Sequence, residues 1–118
     1  MAVITKVSPL APNAFPDLPV IKGVRFATAA AGVKYQGRTD VMLAVADAGS
    51  SVAGVFTKSA TRAAPVLDCQ DKIGKSSNAG VAILVNSGNA NAFTGKFGRA
   101  SVEAITSCLL YTSPSPRD

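Results

Sequence analysis

Asn86, Ser87, Gly88, Asn89, Asn91, Thr94 and Gly95 fall within ten residues of one another. Residues 90–97 set Gly95-Lys96 after an apolar run and before a helical pattern, the order of a phosphate-binding loop. Such a loop needs glycine at its first position for close backbone approach and Ser or Thr after the lysine to hold Mg²⁺. Ala90 and Phe97 occupy those positions, and phenylalanine cannot ligate a metal. Ser87 and Thr94 are also candidate nucleophiles. The chain contains no histidine, so either hydroxyl would need a lysine or an α-amine as its base. Lys96, two residues from Thr94, would not share its helical face. The plainer assignments are a turn bond for Ser87 and a helix cap for Thr94. Asn86, Asn89 and Asn91 read first as turn chemistry and satisfaction of buried backbone, although three asparagines in six residues exceed what one turn needs.

The flanking patterns must position that loop. Val81, Ala82, Ile83, Leu84 and Val85 form a short apolar run that reads as a buried strand. After the loop, residues 95–107 have helical spacing, with Phe97, Ala100, Ala104 and Ile105 near one face, expected to pack back onto a sheet. Upstream, residues 1–19 are punctuated by Pro9, Pro12, Pro16 and Pro19 and read as extended chain. Residues 20–31 alternate as a half-buried strand, and residues 32–35 continue it or pair with it. Residues 36–38 form a turn, and residues 40–46 a strongly apolar strand. Residues 47–51 read as a hairpin link into a further strand at 52–57, antiparallel to 40–46 because the link is short. Residues 58–64 are polar, Pro65 is expected to stop any helix there, and 65–67 is a brief extended piece. Residues 68–78 read as a helical turn or loop. The expected class is α/β, layered in the α+β manner.

A chain of 118 residues is at most one domain with a modest core. Its net charge of +5 is scattered without a run or interleaved aromatics, which argues against nucleic acid as a partner. A distributed excess of this kind suits solubility or a small anionic ligand. Without histidine, and with Cys69 and Cys108 isolated in sequence, no metal or other cofactor is implied. Two lone cysteines fit a reducing compartment. The prolines near the N-terminus stand where a signal peptide needs its apolar run, and no stretch reaches membrane-spanning length. The expected location is the cytoplasm, with no membrane partner.

Four segments, in order, resemble the N-terminal region of the glutamate N-acetyltransferase/ornithine acetyltransferase family of arginine biosynthesis. They are Gly32-Val33-Lys34-Tyr35 with Gly37-Arg38-Thr39-Asp40; Val52-Ala53-Gly54-Val55-Phe56-Thr57; Ala63-Ala64-Pro65-Val66; and Val85-Asn86-Ser87-Gly88-Asn89-Ala90-Asn91-Ala92 followed by Thr94-Gly95. The last is long and specific, and the set covers roughly residues 20–107. The resemblance implies part of an αββα, N-terminal-nucleophile-type fold, incomplete here. It implies a precursor that cuts itself into two chains, exposing a threonine that serves as nucleophile and base. That threonine takes acetyl from N-acetylornithine and passes it to glutamate. Some members also accept acetyl-CoA as donor, and a heterotetramer of two cleaved chain pairs is implied.

The family's Ser-Thr-Gly oxyanion segment and its Ala-Thr cleavage site have no counterpart in this sequence, so no catalytic residue is carried over. Residues 86–95 are expected to shape the active-site region of the complete protein. Residues 108–118 break the helical face, end in Ser and Pro, and resemble translated adapter sequence. The expected division is residues 1–107 as the acetyltransferase portion and 108–118 as a non-native or disordered tail. On this reading the chain alone is inactive; the alternative is a small non-enzymatic α/β module that binds an anion.

Overall fold

The computed structural model describes residues 5–74 and 80–112. Three strands and two helices occur in the order β1 (Val24–Ala29), β2 (Val41–Ala46), α1 (Ala64–Lys72), β3 (Val81–Asn86) and α2 (Gly95–Thr112). The strands make one antiparallel sheet in the order β1-β2-β3, so β2 is central. This is an α+β arrangement, in the expected class.

The register runs through whole rows. Phe26 lies opposite Ala44 and Ala44 opposite Ile83, while on the other face Ala27, Leu43 and Leu84 align. Both faces of the sheet are therefore apolar, whereas an antiparallel sheet with one wet face alternates apolar with polar residues. Every residue of β2 is half-buried, but β1 and β3 are largely exposed. The expectations of a half-buried strand at 20–31 and a buried strand at 81–85 are corrected accordingly. Both are edge strands, and among the described residues no helix packs on the sheet. Residues 32–38 neither extend nor pair with β1; they bend between β1 and β2.

The strand expected at 52–57 does not form; residues 51–59 carry no regular structure. The turn after β2 is present, with the Ser50 amide donating to the Asp47 carbonyl at 3.2 Å. Both sides of β2 are, however, already filled by β1 and β3. A hairpin partner following β2 has no ladder position left. Val52 and Ala53 instead lie over the face that carries Val24, Ala44 and Ile83.

Pro65 starts a helix rather than stopping one. It sits in the first turn of α1, behind an extended Ala63 at φ −65° and ψ 155°. A proline there loses no helical hydrogen bond and has its φ preset. At the other end the Ile73 amide donates to the Cys69 carbonyl at 2.8 Å, and Gly74 follows at φ +80°, a common helix ending. Lys72 in the last turn pairs with Asp68 at 2.9 Å. The reading of residues 68–78 is thus corrected to helix as far as Lys72; residues 75–79 lie outside the described residues.

Helix α2 begins where expected but continues through Cys108 to Thr112, so residues 108–112 do not break it. It packs on α1, not on the sheet. The side turned inward carries Gly98 and Val102, which are buried, with Thr106 and Leu109 half-buried. Phe97, Ala100, Ala104 and Ile105, expected to face the sheet, are exposed, Phe97 by 74%. Helical period alone could not choose between these faces, because both carry apolar residues.

Candidate functional site

The segment between β3 and α2 is held from both sides. On the sheet side, the Ser87 amide donates to the Asp40 carbonyl at 2.9 Å, one step beyond the β2–β3 ladder. The Ser87 hydroxyl accepts from Arg38 Nη2 at 3.0 Å. On the helix side, the Ala64 amide at the start of α1 donates to the Asn91 carbonyl at 3.3 Å. Residues 86–95 thereby tie the sheet to both helices.

Within the loop the asparagines act mainly on backbone. Asn86 Nδ2 donates to the Asn89 carbonyl at 3.0 Å, and Asn89 Oδ1 accepts from the Asn91 amide at 3.0 Å. Asn91 Nδ2 donates to the Gly98 carbonyl at 3.1 Å. Thr94 stands just before α2, and its carbonyl accepts the Gly98 amide, as expected of a cap position. Its hydroxyl, however, turns back toward the Asn91 carbonyl at 3.1 Å and Asn91 Oδ1 at 2.9 Å. Among the described residues, the hydrogen-bond partners are Arg38 for the Ser87 hydroxyl and Asn91 for the Thr94 hydroxyl, not a lysine. Gly98 completes the arrangement: a Cβ built there would overlap the Thr94 hydroxyl and lie 2.8 Å from Asn91 Oδ1.

Asn91 and Phe93 adopt φ values of 51° and 57°. Asparagine tolerates this region, whereas for phenylalanine it costs roughly 1–2 kcal/mol. Phe93 is 85% exposed, so burial of its own side chain does not offset that cost. The loop borders a cleft of about 630 Å³ between α1 and α2, lined by Arg62, Leu67, Asp71, Asn91, Thr94 and Val102 among others. Arg62 Nη1 donates to Gln70 Oε1 at 2.9 Å.

The geometry also brings in Arg38 and Asp40, from the segment between β1 and β2. Asp40 is 5% exposed. Its two carboxylate oxygens accept from the Ala31 and Val33 amides, each at 2.7 Å. These hydrogen bonds hold its pKa below the ordinary 3.8, against the opposing effect of burial. Residues 31–38 are thus folded around one charged side chain, which presents Arg38 to Ser87. The available signal was that Asp40 begins an apolar strand, an uncommon place for an unpaired carboxylate. Among the described residues no group of His, Cys, Asp and Glu could hold a metal ion, and no helix is long and apolar enough to cross a membrane.

The sequence profile of the ArgJ family matches residues 25–112. The arginine biosynthesis bifunctional protein ArgJ of Ruegeria pomeroyi is 72% identical over 92% of this chain and 27% of its own length. The proteins of that name from Nitrobacter winogradskyi and Agrobacterium fabrum are 58% and 60% identical, over 84% and 82% of this chain and 24% and 23% of theirs. No solved structure matches the chain. The chain spans about a quarter of the length of these curated relatives. With the match running through β1, the Asn86–Asn91 segment and α2, the chain belongs to the ArgJ family.

Proposed function

We propose that this chain is the N-terminal portion of an acetyltransferase that moves acetyl from N-acetylornithine to glutamate in arginine biosynthesis. The observation that carries the reading is the family match across residues 25–112 together with the 72% identical bifunctional relative. By the family pattern, self-cleavage exposes a threonine whose own amine serves as base, which suits a chain without histidine. That threonine and the Ser-Thr-Gly oxyanion segment belong to the remaining three-quarters of the enzyme, and the 118-residue chain alone is inactive. Acetyl-CoA is a second donor for the complete enzyme. The complete enzyme is cytoplasmic and assembles as a heterotetramer of two cleaved chain pairs.

Residues 86–95 support this chemistry by shape. They set the end of the sheet against the starts of both helices, using backbone bonds rather than a reactive side chain. Substituting Asn89 or Asn91 in the complete enzyme should lower turnover, N-acetylornithine affinity or self-cleavage. Unchanged values for all three would remove the loop from the site. For the function itself, the source locus is sequenced downstream of the Ser107 codon and the complete product assayed for acetyl transfer. The expected result is an open frame running into a Ser-Thr-Gly segment and an Ala-Thr junction, with residues 108–118 foreign to it. A natural stop after Asp118, or a complete product without acetyl transfer, overturns the proposal.

A further inference from the structure

The bend between β1 and β2 closes on the segment after β3, although Arg38 and Ser87 lie 49 positions apart in sequence. The Asp40 carbonyl accepts the Ser87 amide at 2.9 Å, and Arg38 Nη2 donates to the Ser87 hydroxyl at 3.0 Å. Gly88, at φ 109°, passes so near the bend that an added Cβ would stand 2.8 Å from the Lys34 Cβ. From there the connection runs on to the helices. The Asn91 carbonyl accepts the Ala64 amide at the start of α1, and Asn91 Nδ2 donates to the Gly98 carbonyl in the first turn of α2.

The shape of the bend depends on Asp40. Its buried carboxylate accepts the Ala31 and Val33 amides, each at 2.7 Å, the short distance of charge-assisted hydrogen bonds. Those bonds draw residues 31–40 into a loop that carries Tyr35 and Arg38. The Tyr35 ring, with its centroid 4.6 Å from the guanidinium, supports the side chain that reaches Ser87. Asparagine in place of Asp40 would keep the size but offer one acceptor oxygen, and its amide group would face the second backbone donor. We infer that Asp40, acting through Arg38 and Ser87, is the positioning residue that fixes the Asn86–Asn91 loop against the starts of both helices. Its consequence for catalysis rests on the acetyltransferase reading above.

The test uses a full-length enzyme in which residues 25–107 of this chain replace the matching segment of the Ruegeria pomeroyi relative. Amide hydrogen exchange is followed in residues 31–38, in residues 86–95 and in α2, alongside kcat and KM for acetyl transfer. Arg38→Gln and Ser87→Ala should each speed exchange in both loops roughly 3- to 10-fold, the range of one net hydrogen bond, and leave α2 unchanged. The double variant should add little to the larger single effect, because both substitutions remove the same contact. Asp40→Asn should loosen both loops at least as much. Across the series kcat/KM should fall in step with the exchange, and Arg38→Lys, which can still donate to Ser87, should recover part of both. Faster exchange confined to the substituted loop, exchange rising equally in α2, additive effects in the double variant, or unchanged kcat/KM with both loops loosened would each overturn the positioning role. If Asp40→Asn does not fold, Arg38→Gln and Ser87→Ala, both at exposed positions, decide the outcome. Coupled exchange in an enzyme that transfers no acetyl even when unsubstituted would instead overturn the acetyltransferase reading and leave the positioning of the loop standing.

Discussion

Asp40 shows how a single side chain can organise a loop. Its carboxylate accepts two backbone amides at 2.7 Å, and its own carbonyl accepts the Ser87 amide. Ionised, it stabilises the bend at 31–38; protonated, it loses part of its acceptor capacity. Because its pKa in the folded chain lies below the ordinary 3.8, the unfolded chain binds the proton first as pH falls. The stabilisation is therefore fully present above about pH 4 and is lost as pH drops through the folded value. In proton–nitrogen correlation spectra, the Ala31 and Val33 amides should titrate together at a midpoint below the ordinary 3.8. Asp40→Asn should abolish both titrations. A midpoint at or above 3.8 would mean that the two hydrogen bonds do not favour the charged form.

At the scale of elements, Gly98 offers a test whose sign is informative. Inside an exposed helix, Gly→Ala normally stabilises by about 1 kcal/mol. Here the new methyl would overlap the Thr94 hydroxyl and crowd Asn91 Oδ1. Gly98→Ala should destabilise the full-length enzyme by about 1–3 kcal/mol, as overpacking does, and lower its melting temperature. A higher melting temperature would show that the Asn91–Thr94–Gly98 contacts are not needed. The same scale shows what could be read from sequence. The apolar runs at β2 and β3 and the helix after Thr94 were legible, because each has a local period and a clear punctuation. The Asn86–Gly95 loop was legible as a junction for the same reason. The strand expected at 52–57 failed because a local link cannot reveal that β3 already holds the far edge of β2. Pro65 was misread because proline ends one helix and starts another with equal ease, and only the following residues decide. Arg38 and Asp40 escaped as site residues because their partners lie 49 positions away in Ser87 or in backbone amides.

The chain exposes far more surface than a compact domain of its length. Its accessible surface is 10039 Å², against about 6,000 Å² for a compact monomer of this length. Among the described residues, Val102 at 9% exposure is the buried hydrophobic residue, and Phe26, Phe97 and Ile105 are more than half exposed. Both sheet faces are apolar, and β1 and β3 form the two edges of the sheet, features that invite association. The Ruegeria pomeroyi relative, 27% of which aligns over 109 residues, is roughly three and a half times as long as this chain. The isolated 118-residue chain should therefore elute as associated species in light-scattering chromatography and melt without a sigmoidal transition. Co-expression with the remaining portion of the Ruegeria pomeroyi relative should give a soluble complex with a cooperative melt. Phe97→Asp, at a position this chain leaves in solvent, should then reduce recovery of that complex while leaving the behaviour of the isolated chain unchanged. A monodisperse, cooperatively melting monomer of the isolated chain would show that three strands and two helices suffice. The exposed apolar faces would then need an explanation other than docking against further chain of the kind the longer relatives have.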